Sequence, residues 1–385
     1  MNLEFVICGG GLQGCLLALA IQHYSPRTNV VLIEKSDRLC GNHTWSFHES
    51  DVPERAHAWF SQLVDFSWPS YLVRLGEFER ESPIGYGSIR SSSLASRVTE
   101  IAANSNGNFQ IIQDEVDRIQ KDIVWLKSGA VFHCGVALDC RGVKSDAFSI
   151  GKCGFQKFFG FEIELKSDWI EKPILMDSRV DQTDGFHFIY TLPFSSRRIL
   201  VEDTRFSNSP DLKRDDCLAT VNRYLKQNGV ASHDIVREET GCLPMPFGKA
   251  TKSSPLSLGY RGNLFHAATG YSLPIAAFLA DEIAANSATE ALGIISKFKR
   301  INRFRFAFTR WLNRMLFCLI KPSARQNIFR RFYENLSPQQ IQRFYAHKFN
   351  LMDGLAFFAG VPPSGLTPFR FLKSFGRSQC FIKAT

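Results

Sequence analysis

The chain has 385 residues, 44% of them hydrophobic and 22% charged, with a formal charge of +9 and ten cysteines. Such a composition suits two packed lobes with sizeable cores, and cysteines scattered without a CxxC pair exclude a zinc-like framework and leave reduced thiols as the expectation. No apolar run approaches the roughly 18 residues of a spanning helix, and Met1 to Ile7 lacks the basic and apolar regions of a signal peptide, so a cytoplasmic chain is expected.

An apolar strand is predicted from Leu3 to Cys8, a glycine-rich turn from Gly9 to Gly14, a helix from Cys15 to Tyr24, and a second strand from Asn29 to Ile33 that ends on Glu34. The turn, GGGLQG, places Gly9, Gly11 and Gly14 in a GxGxxG pattern, with Glu34 lying 20 residues beyond Gly14. The glycines permit a tight turn and bring backbone N–H groups towards a pyrophosphate at the helix N-terminus. An acid at the position of Glu34 can accept hydrogen bonds from ribose hydroxyls. Together these features predict dinucleotide binding.

Next comes GNHTWSF, Gly41 to Phe47, in which His43 and Trp45 are candidates to line a cofactor or substrate cavity or to be buried structural residues. A capped helix is predicted from Ser88. Strands are predicted at Phe109 to Ile112, Ile123 to Leu126 and Gly135 to Leu138, the last running into Asp139-Cys140-Arg141-Gly142. From Phe158 to Val201 the pattern is β-rich, which suggests an antiparallel substrate domain inserted into a discontinuous nucleotide-binding domain. Within it Glu162 and Glu164 share one strand face, where exposed polar alternation is expected, and His187 and Tyr190 face either substrate or solvent. The strand ending in LVED places Glu202 and Asp203 side by side, and alternation turns them to opposite faces. Beyond it, Thr269-Gly270 precedes an apolar helix, with His266 and Tyr271 flanking the glycine. The expected division is 1–150 and 251–290 for the cofactor domain, 151–250 for the substrate domain, and 291–385 for a helical, basic C-terminal region.

The charge is concentrated in that last region. Residues 297–348 hold thirteen Lys or Arg against the single acid Glu334, so the segment carries +12 and the rest of the chain −3. Eight phenylalanines share the segment. Basic residues mixed with aromatic ones suit an anionic membrane surface, with the protein lying on the bilayer rather than crossing it. A packed helical subdomain with core aromatics and solvated basic residues would give the same pattern. No nucleic-acid motif accompanies the charge, and no nucleic-acid partner is expected.

The strings GNHTWSFH, DQTDGFHFIYTLP, LVEDT, FHAATGYSLP, LNRMLF and RFYA, in this order, resemble the bacterial lycopene β-cyclases, flavoproteins of the glutathione-reductase-like superfamily. The resemblance implies an α/β fold with a discontinuous FAD-binding Rossmann domain and FAD held at Gly9, Gly11, Gly14 and Glu34, with further contacts at Asp139, Gly142 and Gly270. It also implies NAD(P)H as the reductant, and conversion of lycopene through γ-carotene to β-carotene at the cytoplasmic side of the inner membrane. In this family Glu202 matches the essential acid of the ED motif and is the expected proton donor, with Asp203 its support. Gly259-Tyr260-Arg261-Gly262 lacks the acid of the wider superfamily's Gly-Asp motif, as cyclases commonly do. Cys40 stands where the family usually has glycine. The alternative is an FAD-dependent monooxygenase or reductase acting on a hydrophobic isoprenoid; on the residues alone, Glu202 and Asp203 also fit a solvated strand end paired with arginines.

Overall fold

The computed structural model describes residues 3–143, 152–230, 232–248 and 253–357. The Leu3–Cys8 and Val30–Glu34 strands are apolar runs and pair in parallel, with Phe109–Gln113 and Val131–Asp139 extending the parallel core on either side. Ile123–Leu126 and Val116–Ile119 complete a six-stranded sheet through antiparallel pairing. The Leu12–Tyr24 helix leaves the first strand through the glycine turn. It is buried on almost every side because the sheet and the apolar Leu273–Ala284 helix enclose it. The predicted βαβ unit is therefore present, and the chain returns to it after residue 253.

A second sheet has seven strands in the spatial order His233–Pro246, Cys153–Leu165, Arg198–Ser207, Phe186–Pro193, Ile174–Asp177, Tyr71–Leu75 and Phe78–Ser82. All neighbours are antiparallel except Ile174–Asp177 against Tyr71–Leu75. These last two strands of the sheet come from within residues 1–150, so that stretch contributes to both sheets rather than to the cofactor domain alone. A small third sheet, Thr44–His48, Tyr86–Arg90 and Phe66–Trp68, lies in the same stretch. Its pairing of Thr44 with Arg90 and Ser46 with Ser88 holds Ser88 to Arg90 extended. The helix expected from Ser88 therefore starts at Ser91, and no side chain caps it. A helix at Arg214–Gln227, absent from the sequence-based expectation, packs on the Arg198–Ser207 strand through Cys217, Val221 and Tyr224.

The described part of the C-terminal region, residues 291–357, is mainly helical as expected, and most of its aromatics are buried or pack against a core. Phe306, Phe317 and Phe344 are buried, and Phe329 stacks on Phe186 of the seven-stranded sheet at 4.1 Å. Arg325 is buried too, donating to the carbonyls of Leu316 and Phe206 at 3.2 and 3.0 Å. Solvent-exposed apolar side chains remain at Ile301, Phe304, Trp311, Leu351, Met352 and Leu355. Among the described residues no helix is long and apolar enough to cross a membrane. Among the described residues eight cysteines are free.

Candidate active site

A cavity of about 1100 Å³ begins at the glycine turn and Glu34, passes Cys40 to Ser46, and ends among Tyr86, Phe188, Tyr190, Phe206, Phe329 and Tyr345. Its first part is built around the glycine turn. Gly9 has φ 111°, and a Cβ there would lie 2.7 Å from the Arg141 backbone nitrogen. At Gly14 a Cβ would approach the Gly9 carbonyl oxygen to 2.0 Å, so this glycine lets helix and strand pack. Gly11 differs: a Cβ there would meet no atom within 4 Å, and its backbone opens on the cavity. Gly11 is also the N-cap of the Leu12–Tyr24 helix and offers no side-chain cap, which leaves first-turn N–H groups and the positive helix end for an anion.

Glu34 lines the cavity and accepts N–H groups from Gly10 at 2.8 Å and Ser36 at 3.0 Å. Lys35, Arg38, Arg141 and Arg261 bring positive charge to the same end. Asp139 does not line the cavity; it is buried and binds Arg141 at 2.9 and 3.0 Å and Arg261 at 3.2 Å. It therefore orients two cavity arginines. Gly142 and Gly270 both border the cavity, and Gly270 takes φ 66° with no room for a Cβ beside Leu243. Cys40 itself has φ 65°, a left-handed conformation that glycine adopts at lower cost.

The far part of the cavity is walled by the seven-stranded sheet. Along Arg198–Ser207, Glu202, Thr204 and Phe206 line it, while Asp203 points to the other face, as alternation requires. Asp203 is fully buried there, 2.9 Å from His187 Nε2 and accepting from Arg205 at 2.8 and 2.9 Å. Burial opposes its ionisation, but His187 and Arg205 outweigh burial and hold the carboxyl below the usual range. His187 thus faces neither substrate nor solvent. Tyr190, three residues along, does face the cavity, donating to Ser46 Oγ at 2.8 Å and lying 3.1 Å from the Tyr86 hydroxyl.

Glu202 is 8% exposed and sits opposite Gly160 in the sheet. On the other side of Gly160 lies Glu239, 3% exposed. A Cβ on Gly160 would lie 2.9 Å from Glu202 Cγ and 3.1 Å from Glu239 Cγ, so the missing side chain is what lets the two acids meet. Their carboxyls share a hydrogen bond; burial, then the Glu239 charge, push the Glu202 carboxyl well above the carboxylate range. Glu239 accepts from Thr44 Oγ1 at 2.9 Å and Arg237 at 2.5 Å. Arg237 continues to Glu162 at 2.7 Å, which Arg90 and Arg198 also bind at 2.8 Å each. Glu162 is therefore buried, against the expectation of exposed alternation, because three guanidinium groups replace its water. Glu164 on the same face is half-buried and reaches only Arg198, at 3.2 Å.

His43 and Trp45 both border the cavity, and burial lowers the His43 pKa. Tyr271 borders it and donates to Asp51 at 2.7 Å, whereas His266 is buried behind the lining against Thr269. Glu239, His48, Tyr86, Phe329 and Tyr345 were not singled out from the sequence. The His48 ring lies 5.2 Å from those of Tyr86 and Tyr345, and these residues come from segments that only tertiary packing unites. Among the described residues no cluster suited to a metal ion occurs.

The likeness to solved structures is at the level of fold. A geranylgeranyl bacteriochlorophyll reductase-like protein from Thermoplasma acidophilum superposes with a TM-score of 0.58 at 12% identity, covering 97% of this chain and 98% of its own. The probable FAD-dependent monooxygenase pqsL from Pseudomonas aeruginosa gives 0.60 at 16% identity, covering 87% and 100%. In sequence, the model of the family described as lycopene cyclase protein matches residues 4–370. The chain is 36% identical over 374 residues to the lycopene β-cyclase of Pseudescherichia vulneris, covering 94% of each. It is 35% identical to that of Pantoea ananas, covering 94% of this chain and 95% of the relative. This chain belongs to the lycopene cyclase family, with the bacterial lycopene β-cyclases.

Proposed function

We propose that the protein binds FAD along the glycine turn and closes the linear ends of lycopene into β-rings, giving γ-carotene and then β-carotene. The observation that carries this is a buried carboxyl, Glu202, whose ionisation burial and Glu239 oppose, at the aromatic end of a cavity whose other end is the glycine turn. Glu202 gives its proton to the terminal double bond, leaving a tertiary cation that the next double bond attacks to close the ring. A proton then leaves the ring carbon beside the new bond, so mass and electron count are unchanged.

In its reduced form, maintained by NAD(P)H, bound FAD would supply negative charge to offset the developing cation. Gly11, the uncapped helix end and the cavity arginines would hold its pyrophosphate, and Glu34 would accept from its ribose. Tyr86, Phe188, Tyr190, Phe206, Phe329 and Tyr345 exclude water from the polyene and present π faces to positive charge, each face contributing about 0.5–2 kcal/mol. Asp203 does not reach the cavity and serves to fix the Glu202 strand.

The exposed apolar residues of the C-terminal helices, set among lysines and arginines, support peripheral attachment to the cytoplasmic side of the inner membrane, where a C40 hydrocarbon resides. Expression in lycopene-accumulating bacteria tests the whole assignment. β-Carotene at unchanged mass is expected. A product heavier by oxygen or hydrogen would instead mark a monooxygenase or a reductase.

A further inference from the structure

We propose that Glu239 is a positioning residue for the cyclisation, holding the proton-bearing Glu202 carboxyl in place by accepting its hydrogen bond across the side-chain-free Gly160. This role rests on Glu202 being the donor. Three features make Glu239 the anionic partner. It accepts from Arg237 and from Thr44, both of which stabilise a carboxylate. It lies outside the cavity lining, whereas Glu202 lies within it. Arg237 is itself anchored on Glu162, whose two further arginines tie the group to the Arg90 and Arg198 ends of neighbouring strands.

The geometry requires both acids and the glycine. Cys153–Leu165 lies between the two strands that carry the acids, in register at Gly160 with each. Any side chain at 160 would stand between the carboxyls. Two buried carboxyls in hydrogen-bond contact share one proton over a wide pH range, because ionising the second places like charges side by side. After Glu202 has given up its proton, the neighbouring Glu239 charge makes the vacated carboxylate a strong acceptor. The O–H bond broken at the start can therefore re-form with the proton lost from the ring, and the pair returns to its starting state without exchange with solvent.

Groups facing Glu202 include Glu239 and Arg237 from His233–Pro246 and Tyr190 from Phe186–Pro193. His43 faces Glu239 from the loop before Thr44–His48. Arg237 favours ionisation of Glu202 while Glu239 opposes it, and Glu239 is in hydrogen-bond contact. Removing the Glu239 charge must then ease loss of the Glu202 proton.

The test is the pH dependence of kcat for the flavin-reduced holoenzyme on lycopene in liposomes, comparing wild type, Glu239→Gln and Glu202→Gln. In Glu239→Gln the alkaline fall of kcat is expected about one pH unit or more closer to neutrality, with KM unchanged, and Glu239→Asp is expected to restore part of the wild-type profile. Infrared spectroscopy gives a second readout: a protonated-carboxyl stretch present in wild type near neutral pH, absent in Glu202→Gln, and lost at lower pH in Glu239→Gln. If Glu239→Gln does not fold, Gly160→Ala is measured instead, with the same shift expected. An unmoved pH profile and an unmoved stretch, with Glu202→Gln inactive, would overturn the role of Glu239 and leave the donor in place. Full activity of Glu202→Gln would overturn the donor assignment itself.

Discussion

Glu202 and Glu239 lie 37 residues apart in the chain and meet across Gly160, each buried and each on a strand that pairs with Cys153–Leu165. A folded protein that keeps a carboxyl protonated against its ordinary preference does so at a cost in stability. Above the unfolded-state value, a carboxyl with a raised folded-state pKa destabilises the fold, and the cost grows until pH passes the folded value. Glu202→Gln removes an ionisable group and keeps the shape. It is expected to abolish cyclisation while raising stability near neutral pH by about 1 kcal/mol or more, read as a higher denaturation midpoint. A midpoint equal to or below wild type would contradict the elevated pKa.

Asp203 behaves oppositely. Its folded-state pKa is lowered by His187 and Arg205 in spite of burial, so the stability it contributes is present above the ordinary aspartate range and is lost as pH falls through the lowered value. Asp203→Asn is expected to cost about 3–5 kcal/mol near neutrality, because the half-buried Arg205 and the buried His187 lose their carboxylate partner. The difference from wild type should shrink in acid below about pH 4. Denaturant melts at several pH values check both statements, and a variant of wild-type stability would remove Asp203 from its supporting role.

The glycines of the turn should separate by mechanism. Gly14→Ala would place a Cβ 2.0 Å from the Gly9 carbonyl oxygen, and a destabilisation of about 1–3 kcal/mol is expected from overpacking. Gly11→Ala meets nothing in the protein, so stability should stay within about 0.5 kcal/mol of wild type while flavin affinity falls. Thermal melts of the flavin-free proteins and flavin titration distinguish the two. Equal affinity of Gly11→Ala and wild type for FAD would place the cofactor elsewhere.

Membrane attachment should depend on the apolar side chains left exposed after the C-terminal helices pack. Leu351, Met352 and Leu355 are 64%, 71% and 61% exposed, and together with basic neighbours they suit the boundary between headgroups and acyl chains. The triple serine variant is expected to bind anionic liposomes at least tenfold more weakly with unchanged stability. Raised salt should weaken the wild type on anionic vesicles. Binding of the variant equal to wild type would leave the attachment to another surface.

The glycine turn and its acid at one end of the cavity were legible because they are local. Gly9, Gly11, Gly14 and Glu34 fall within one βαβ unit, where spacing along the chain dictates spacing in the fold. The opposite orientation of Glu202 and Asp203 was legible for the same reason, since strand side chains alternate. Glu162 was misjudged: its alternation with Glu164 suggests an exposed face, yet Arg90, Arg198 and Arg237 arrive from three other segments and bury it. Asp139 ends a parallel strand beside the glycine turn, but its side chain is taken by Arg141 and Arg261. The aromatics of residues 297–348 were expected at a membrane surface, yet Phe306, Phe317, Tyr333 and Phe344 are buried and Phe329 stacks on Phe186 of the seven-stranded sheet.

The sequence by itself determined the glycine turn, its acid, the strand that presents Glu202 and the family to which the chain belongs, because each is written in residues close together or in strings kept in order. Only the tertiary structure decided what faces that acid. Glu239, Gly160 and Arg237 carry no local signature, and their meeting depends on the order of strands in a sheet, which the pairing of distant segments sets and no short stretch of sequence records.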